Sequence, residues 1–141
     1  MSLKEEKSVA AIVYYEDEYL LLKYGLGHWE FVKGHIEPGE TETETIMREL
    51  KEETGIDSAN IVNGFNEVYD YYFKFRGQKI HKRVSCYLIK SRTKDVNLSF
   101  EHEGFKWLTI DKAIKQVTYD NAKELLKKAK KFRSSTLESF L

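Results

Sequence analysis
Glu49, Glu52 and Glu53 stand at spacing i, i+3 and i+4 within the stretch GETETETIMRELKEETGI. If that stretch is helical, three carboxylates share one face. Like charges at this spacing repel, so a helix built only for stability would alternate signs. Arg48 stands four residues before Glu52, within reach of a carboxylate that it could orient. Three carboxylates on a rigid face suit a hard divalent cation such as Mg²⁺, which takes oxygen ligands and shares itself with substrate phosphates. A solvated acidic face accounts for the helix equally well when it is taken alone.

The elements that must position these groups are legible around them. Thr41 and Glu44 have the spacing of a capping box, in which each satisfies a free backbone N–H at the helix start. Pro38-Gly39 suits a tight turn into the helix, and Gly55 suits the left-handed residue that ends it. Ile46, Met47 and Leu50 form the apolar stripe that packs the helix onto the rest of the chain.

The wider spacing separates the two readings. Gly34, five residues, Glu40, seven residues, Arg48-Glu49-Leu50, one residue, Glu52-Glu53, one residue and Gly55-Ile56 resembles the Nudix box at every specified position. The resemblance implies an α/β fold: an α/β/α sandwich with a mixed sheet and the box as a loop-helix-loop at its edge. It also implies hydrolysis of a nucleoside diphosphate linked to a further group. Mg²⁺ is the implied ion, with Mn²⁺ as the alternative.

Around the box, SVAAIVYY (8–15) and YLLLKY (19–24) read as a strand hairpin. Their near-continuous apolar character suits strands covered on both faces. Lys33 and His35 flank Gly34, which offers phosphate oxygens a point charge, a switchable donor and a close-approaching backbone. Trp29 is a packing residue by default. EVYDYYFKF (67–75) alternates like a long strand, and KIHKRVSCYLI (79–89) returns after Arg76-Gly77-Gln78. Sheet packing explains most of the tyrosines there. Tyr71 or Tyr72, which alternation places on opposite faces, could stack on a nucleobase. His81, Lys82 and Arg83 form a short basic cluster.

Within the Nudix family the chain resembles the asymmetrical diadenosine tetraphosphate hydrolases. The resemblance rests on the KGH segment at Lys33 and on LSFEHEGFKWL at residues 98–108, with Val32 departing from the usual proline. It implies that Glu101 adds a carboxylate to the metal cluster, with Glu103 as the alternative. Lys82 is implied to meet polyphosphate, and Tyr119 to stack on adenine. The implied assignment gives metal binding to Glu49, Glu53 and Glu101, and metal binding or base assistance to Glu52. Arg48 orients the carboxylates, while Lys33, Gly34, His35 and Lys82 meet the phosphates. No covalent nucleophile is required.

Length and composition suit one domain over residues 1–141. Lys+Arg and Asp+Glu both number 23, so no general field draws the chain to nucleic acid or anionic lipid. MSLKEEKS lacks the apolar core of a signal peptide, and no apolar run reaches spanning length. Cys86 is the single cysteine. It lies in the apolar run VSCYLI as a small buried hydrophobe and suits a reducing, cytoplasmic setting. A small nucleotide is the expected partner, and self-association stays open between monomer and homodimer. Residues 111–116 are read as a short helix beginning at an acidic cap, Asp111. The last helix, amphipathic with a basic outer face, starts at Thr118 or Asp120.

Overall fold
The computed structural model describes residues 3–138. Seven strands and three helices follow in the order β1 (Lys4–Tyr15), β2 (Glu18–Tyr24), β3 (Trp29–Glu30), β4 (Val32–His35), α1 (Glu42–Thr54), β5 (Ala59–Phe75), β6 (Gln78–Ser91), β7 (His102–Thr109), α2 (Ile110–Gln116) and α3 (Asp120–Glu138). The sheet is mixed. β1 runs parallel to β6 from Lys4 to Tyr14, and the other pairings are antiparallel. The order is β3-β2-β1-β6-β5, with β4 on β1 and β7 on β2.

The apolar run of β1 is explained by coverage of both its faces. Val9, Ala11 and Val13 pack toward Ile46 and Leu50 of α1. Ala10, Ile12 and Tyr14 pack on the opposite side with Ala113 of α2 and Leu125, Leu126 and Ala129 of α3. Alternate side chains of one strand thus enter two cores, giving the α/β/α arrangement expected. Cys86 is fully buried in the α3-side core, and burial pushes its thiol up to about 12.

Helix α1 is closed at both ends as its sequence predicts. Thr41 Oγ1 accepts from the Glu44 amide at 3.2 Å, and Glu44 Oε1 accepts from the Thr41 amide at 2.9 Å. Gly55 takes φ 75° and donates its N–H to the Lys51 carbonyl, a left-handed conformation that glycine adopts without steric cost.

Two local readings change and a third is narrowed. The strand read over 67–75 begins earlier, at Ala59, as β5, and is interrupted by an irregularity between Ile61 and Asn66 where Gly64 has φ 96°. Asp111 does not cap α2: Thr109 is the capping residue, without a side-chain bond, and Asp111 reaches Lys130 at 3.2 Å from the first turn. Of the two starts for α3, the structure selects Asp120. Thr118 instead pins Trp29, accepting its N–H on Oγ1 at 2.8 Å and donating a backbone N–H to its carbonyl at 3.1 Å. Trp29 packs against the α3-side core with Lys106 Nζ 4.9 Å from its ring centroid. No helix among the described residues is long and apolar enough to cross a membrane.

Candidate active site
The acidic face of α1 meets β4 and the turn before β7. Antiparallel pairing of β4 with β1 sets Gly34 opposite Val9. A Cβ at Gly34 would lie 2.3 Å from both Cγ and Cδ of Glu49. Glycine is required there for close approach, and the Glu49 side chain lies directly against the β4 backbone.

Arg48 ties the acidic groups together. Its Nε donates to Glu40 Oε2 at 2.6 Å and its Nη2 to Glu40 Oε1 at 2.9 Å, a bidentate pair. Its Nη1 reaches Glu49 Oε1 at 3.0 Å and Glu52 Oε2 at 3.1 Å. Glu40 is held in turn by the Thr45 hydroxyl at 2.9 Å and the Glu37 amide at 3.1 Å. The Arg48 guanidinium lowers the Glu40 carboxyl to about 2, and its own pKa rises, first through Glu40. Arg48 therefore orients Glu49 and Glu52 from a fixed base. Glu40, whose role the spacing alone leaves unstated, is that base.

Glu53 differs from its two neighbours. It is buried, and its pKa is raised well above the carboxylate range by burial first, then by Glu49 and Glu101. Its Oε1 lies 2.8 Å from His102 Nε2, and its Oε2 has no hydrogen-bond partner. Glu101, exposed in the turn before β7, is near enough for its charge to raise both Glu53 and His102. Glu103 lies past His102 and stands 4.0 Å from Lys23. Burial lowers the His102 pKa, against opposing effects of Glu101 and Glu49.

Among the described residues, no group of three or more His, Cys, Asp or Glu side chains is drawn to coordinating geometry. Glu49 and Glu52 turn toward Arg48. The residues nevertheless fit a hard divalent cation. Glu53 keeps a buried oxygen free, Glu49 lies in the cradle over Gly34, and the donors are all carboxylate oxygens. A cation there would also reverse the upward shift of Glu53.

Beyond β4 opens a cavity of about 590 Å³ lined by His28, Glu30, Lys33, Tyr69, Tyr71 and Tyr119, with Asp120 and Asn121 at the start of α3. Lys33 joins the cavity to the acidic face. Its Nζ pairs with buried Glu30 at 2.8 Å, and the next residue, Gly34, lies against Glu49. Lys82 pairs in register with Tyr71 across β5 and β6, and its pKa is lowered by burial and then by Lys33. His35, beside Gly34, has Nδ1 3.3 Å from Ser8 Oγ, and its carbonyl accepts from Arg48 at 3.5 Å.

Tyr72 is a correction. It stacks on His81 at 4.6 Å on the face opposite Tyr71, with Lys79 5.1 Å from its centroid. It does not line the cavity. The pleat places Tyr69, two residues from Tyr71, in the cavity instead. His81 also leaves the basic cluster, since its ring nitrogens lie 2.7 Å from Glu5 and from Asp70. Sequence reasoning left His28, Glu30, Tyr69 and His102 without roles. The i, i+2 relation marks Tyr69, and adjacency to Glu101 marks His102.

The NUDIX domain family matches residues 4–129. The chain belongs to that family and is a Nudix hydrolase. It is 34% identical over 125 residues to the asymmetrical bis(5′-nucleosyl)-tetraphosphatase of Rattus norvegicus, covering 84% of this chain and 82% of the relative. The Caenorhabditis elegans enzyme of the same description is 35% identical over 118 residues, covering 82% and 84% respectively. A crystal structure of a C. elegans Ap4A hydrolase binary complex superposes with TM-score 0.79 at 32% identity, covering 92% of this chain and 98% of that one.

Proposed function
We propose that this chain hydrolyses dinucleoside polyphosphates, with diadenosine tetraphosphate as substrate and ATP and AMP as products. The observation that carries the reading is the junction at Lys33. This residue lines the aromatic cavity, and the next one, Gly34, lies directly against Glu49 of the acidic face. A ligand with a flat base and a long anionic chain matches both halves, and the similarity to asymmetrical tetraphosphatases supports the same substrate class.

In this reading Tyr71 and Tyr119 stack on a base, and the polyphosphate runs past Lys33, Gly34, His35 and Lys82 toward α1. Glu49, Glu53 and Glu101 would hold divalent cation, Mg²⁺ or Mn²⁺, with Glu52 as a further ligand or as the base assisting water. A bound divalent ion supplies charge neutralisation of the phosphates and a lower pKa for bound water. Water attacks phosphorus, one P–O anhydride bond breaks, and the departing phosphate oxygen takes the electron pair. The water proton passes to a carboxylate of the cluster. Arg48 keeps Glu49 and Glu52 in place, so the chain contributes positioning and electrostatics rather than a covalent nucleophile. The buried free thiol of Cys86 supports a reducing, cytoplasmic setting. Residues 1–141 act as one domain, as a monomer or homodimer.

Chromatographic product analysis tests this reading. The protein is given diadenosine tetraphosphate, ATP, ADP-ribose and 5′-triphosphorylated RNA, each with Mg²⁺ and with EDTA. ATP plus AMP from the first, lost in EDTA, is expected. Preferred turnover of another substrate would keep the hydrolase and move its specificity. Nucleotide binding without turnover would replace it with a nucleotide sensor.

A further inference from the structure
We propose that His102 is a positioning residue for Glu53: its imidazole holds one carboxylate oxygen so that the other is presented to a bound divalent cation. The inference rests on the reading of Glu53 as a metal ligand. His102 Nε2 lies 2.8 Å from Glu53 Oε1, and both side chains are almost entirely buried. Glu53 Oε2 has no hydrogen-bond partner, and neither has His102 Nδ1. The carboxylate is thus engaged by His102 at one oxygen, and the other has no hydrogen-bond partner.

The two residues lie far apart in sequence, so the contact depends on how the turn before β7 docks. It hangs on the last turn of α1. The Asn97 amide donates to the Thr54 carbonyl at 2.8 Å, and the Ser99 amide donates to the Glu53 carbonyl at 3.0 Å. The His102 amide closes the turn by donating to the Ser99 carbonyl at 3.2 Å. Glu53 therefore supplies its carbonyl to place the turn and its carboxylate to meet the side chain that the turn delivers.

The imidazole is fixed on its other side. Its ring meets Tyr24 edge-on, with centroids 4.6 Å apart and planes at 87°. Tyr24 in turn stacks on His28 at 4.8 Å and donates its hydroxyl to the Phe31 carbonyl at 2.5 Å. A terminal carboxylate torsion is broad and roughly two-fold, so a free glutamate samples many orientations. A hydrogen bond from a held ring removes that freedom before the cation arrives. Partners of this kind to ligating groups commonly govern metal affinity about 10–100-fold.

The test compares Asn and Gln at position 102. The Gln amide nitrogen reaches the place of Nε2, whereas the Asn amide nitrogen reaches only that of Nδ1, which has no partner. Mn²⁺ binding to the full chain, followed by the paramagnetic resonance of free Mn²⁺, is measured for wild type, H102Q, H102N, H102L and E53Q. Thermal melting of each reports the fold. H102N and H102L should bind Mn²⁺ about 10–100-fold more weakly, and H102Q should recover most of that loss. Equal affinity of H102N and H102Q overturns the positioning role even if H102L fails to fold. So does wild-type affinity in H102L when E53Q is weakened. Unchanged affinity in E53Q removes Glu53 from the metal site, and the inference falls with that reading.

Discussion
The box helix and the aromatic cavity solve the problem of holding a site in opposite ways. Glu40, Thr41, Glu44, Thr45, Arg48, Glu49 and Glu52 bond largely to one another, so one contiguous segment fixes its own carboxylates. The cavity takes walls from β3, β4, β5, the start of α3 and the loop carrying His28. No part of it is local. Charge chemistry that must stay rigid is therefore carried by a segment that travels as a unit. The cavity's walls are spread over elements that lie far apart in sequence. Glu53 and Glu42 are the exceptions within the helix, because their partners come from β7 and β6.

The largest effect should come from the helix. Glu52→Gln should slow hydrolysis of diadenosine tetraphosphate about 10²–10⁴-fold if Glu52 assists the attacking water. The melting temperature should hardly move, since this side chain is more than half exposed. A rate within a few-fold of wild type would remove Glu52 from the proton path. Gly34→Ala comes next. The added methyl would displace Glu49 from β4, and misplacement on this scale costs on the order of 10²-fold in rate. Full activity in that variant would show that Glu49 does not need its cradle.

Opposite faces of β5 give a sharper contrast of moderate size. Tyr71→Ala should weaken substrate binding by about 1–3 kcal/mol, the worth of one stacked base. Tyr72→Ala should leave binding unchanged, because its ring faces His81. Titration of a non-hydrolysed analogue would measure both, and equal losses would break the assignment of faces.

The smallest effect concerns pH. The folded pKa of Glu40 is depressed to about 2 from its ordinary 4.5. Its contribution to stability is thus present above pH 4.5 and is lost as pH falls toward 2. Glu40→Gln should flatten that part of the acid limb in melting temperature against pH. An unaltered acid limb would show that the Arg48 pair contributes no stability; solvent access already keeps the expected change small.

Much of the frame was legible in the chain. The capping box, Gly55 as terminator, the β1–β2 hairpin and the two-sided burial of β1 were all read from contiguous residues. Those features depend on hydrogen bonds and periodicities a few residues long, which any folded context must respect. Asp111 misled because an acidic residue in the first turn and a capping residue look alike without backbone angles. Alternation placed Tyr71 and Tyr72 on opposite faces but could not say which face met the cavity, because that depends on where α3 and the loop before β3 settle against the sheet. Glu40 was visible as a box position, yet its hold on Arg48 exists only once the turn at Pro38-Gly39 folds back along α1. The pairing of His102 with Glu53 was beyond the sequence for the same reason. Local pattern determined which residues could share a helix face or a strand face, and long-range packing decided which of those faces met.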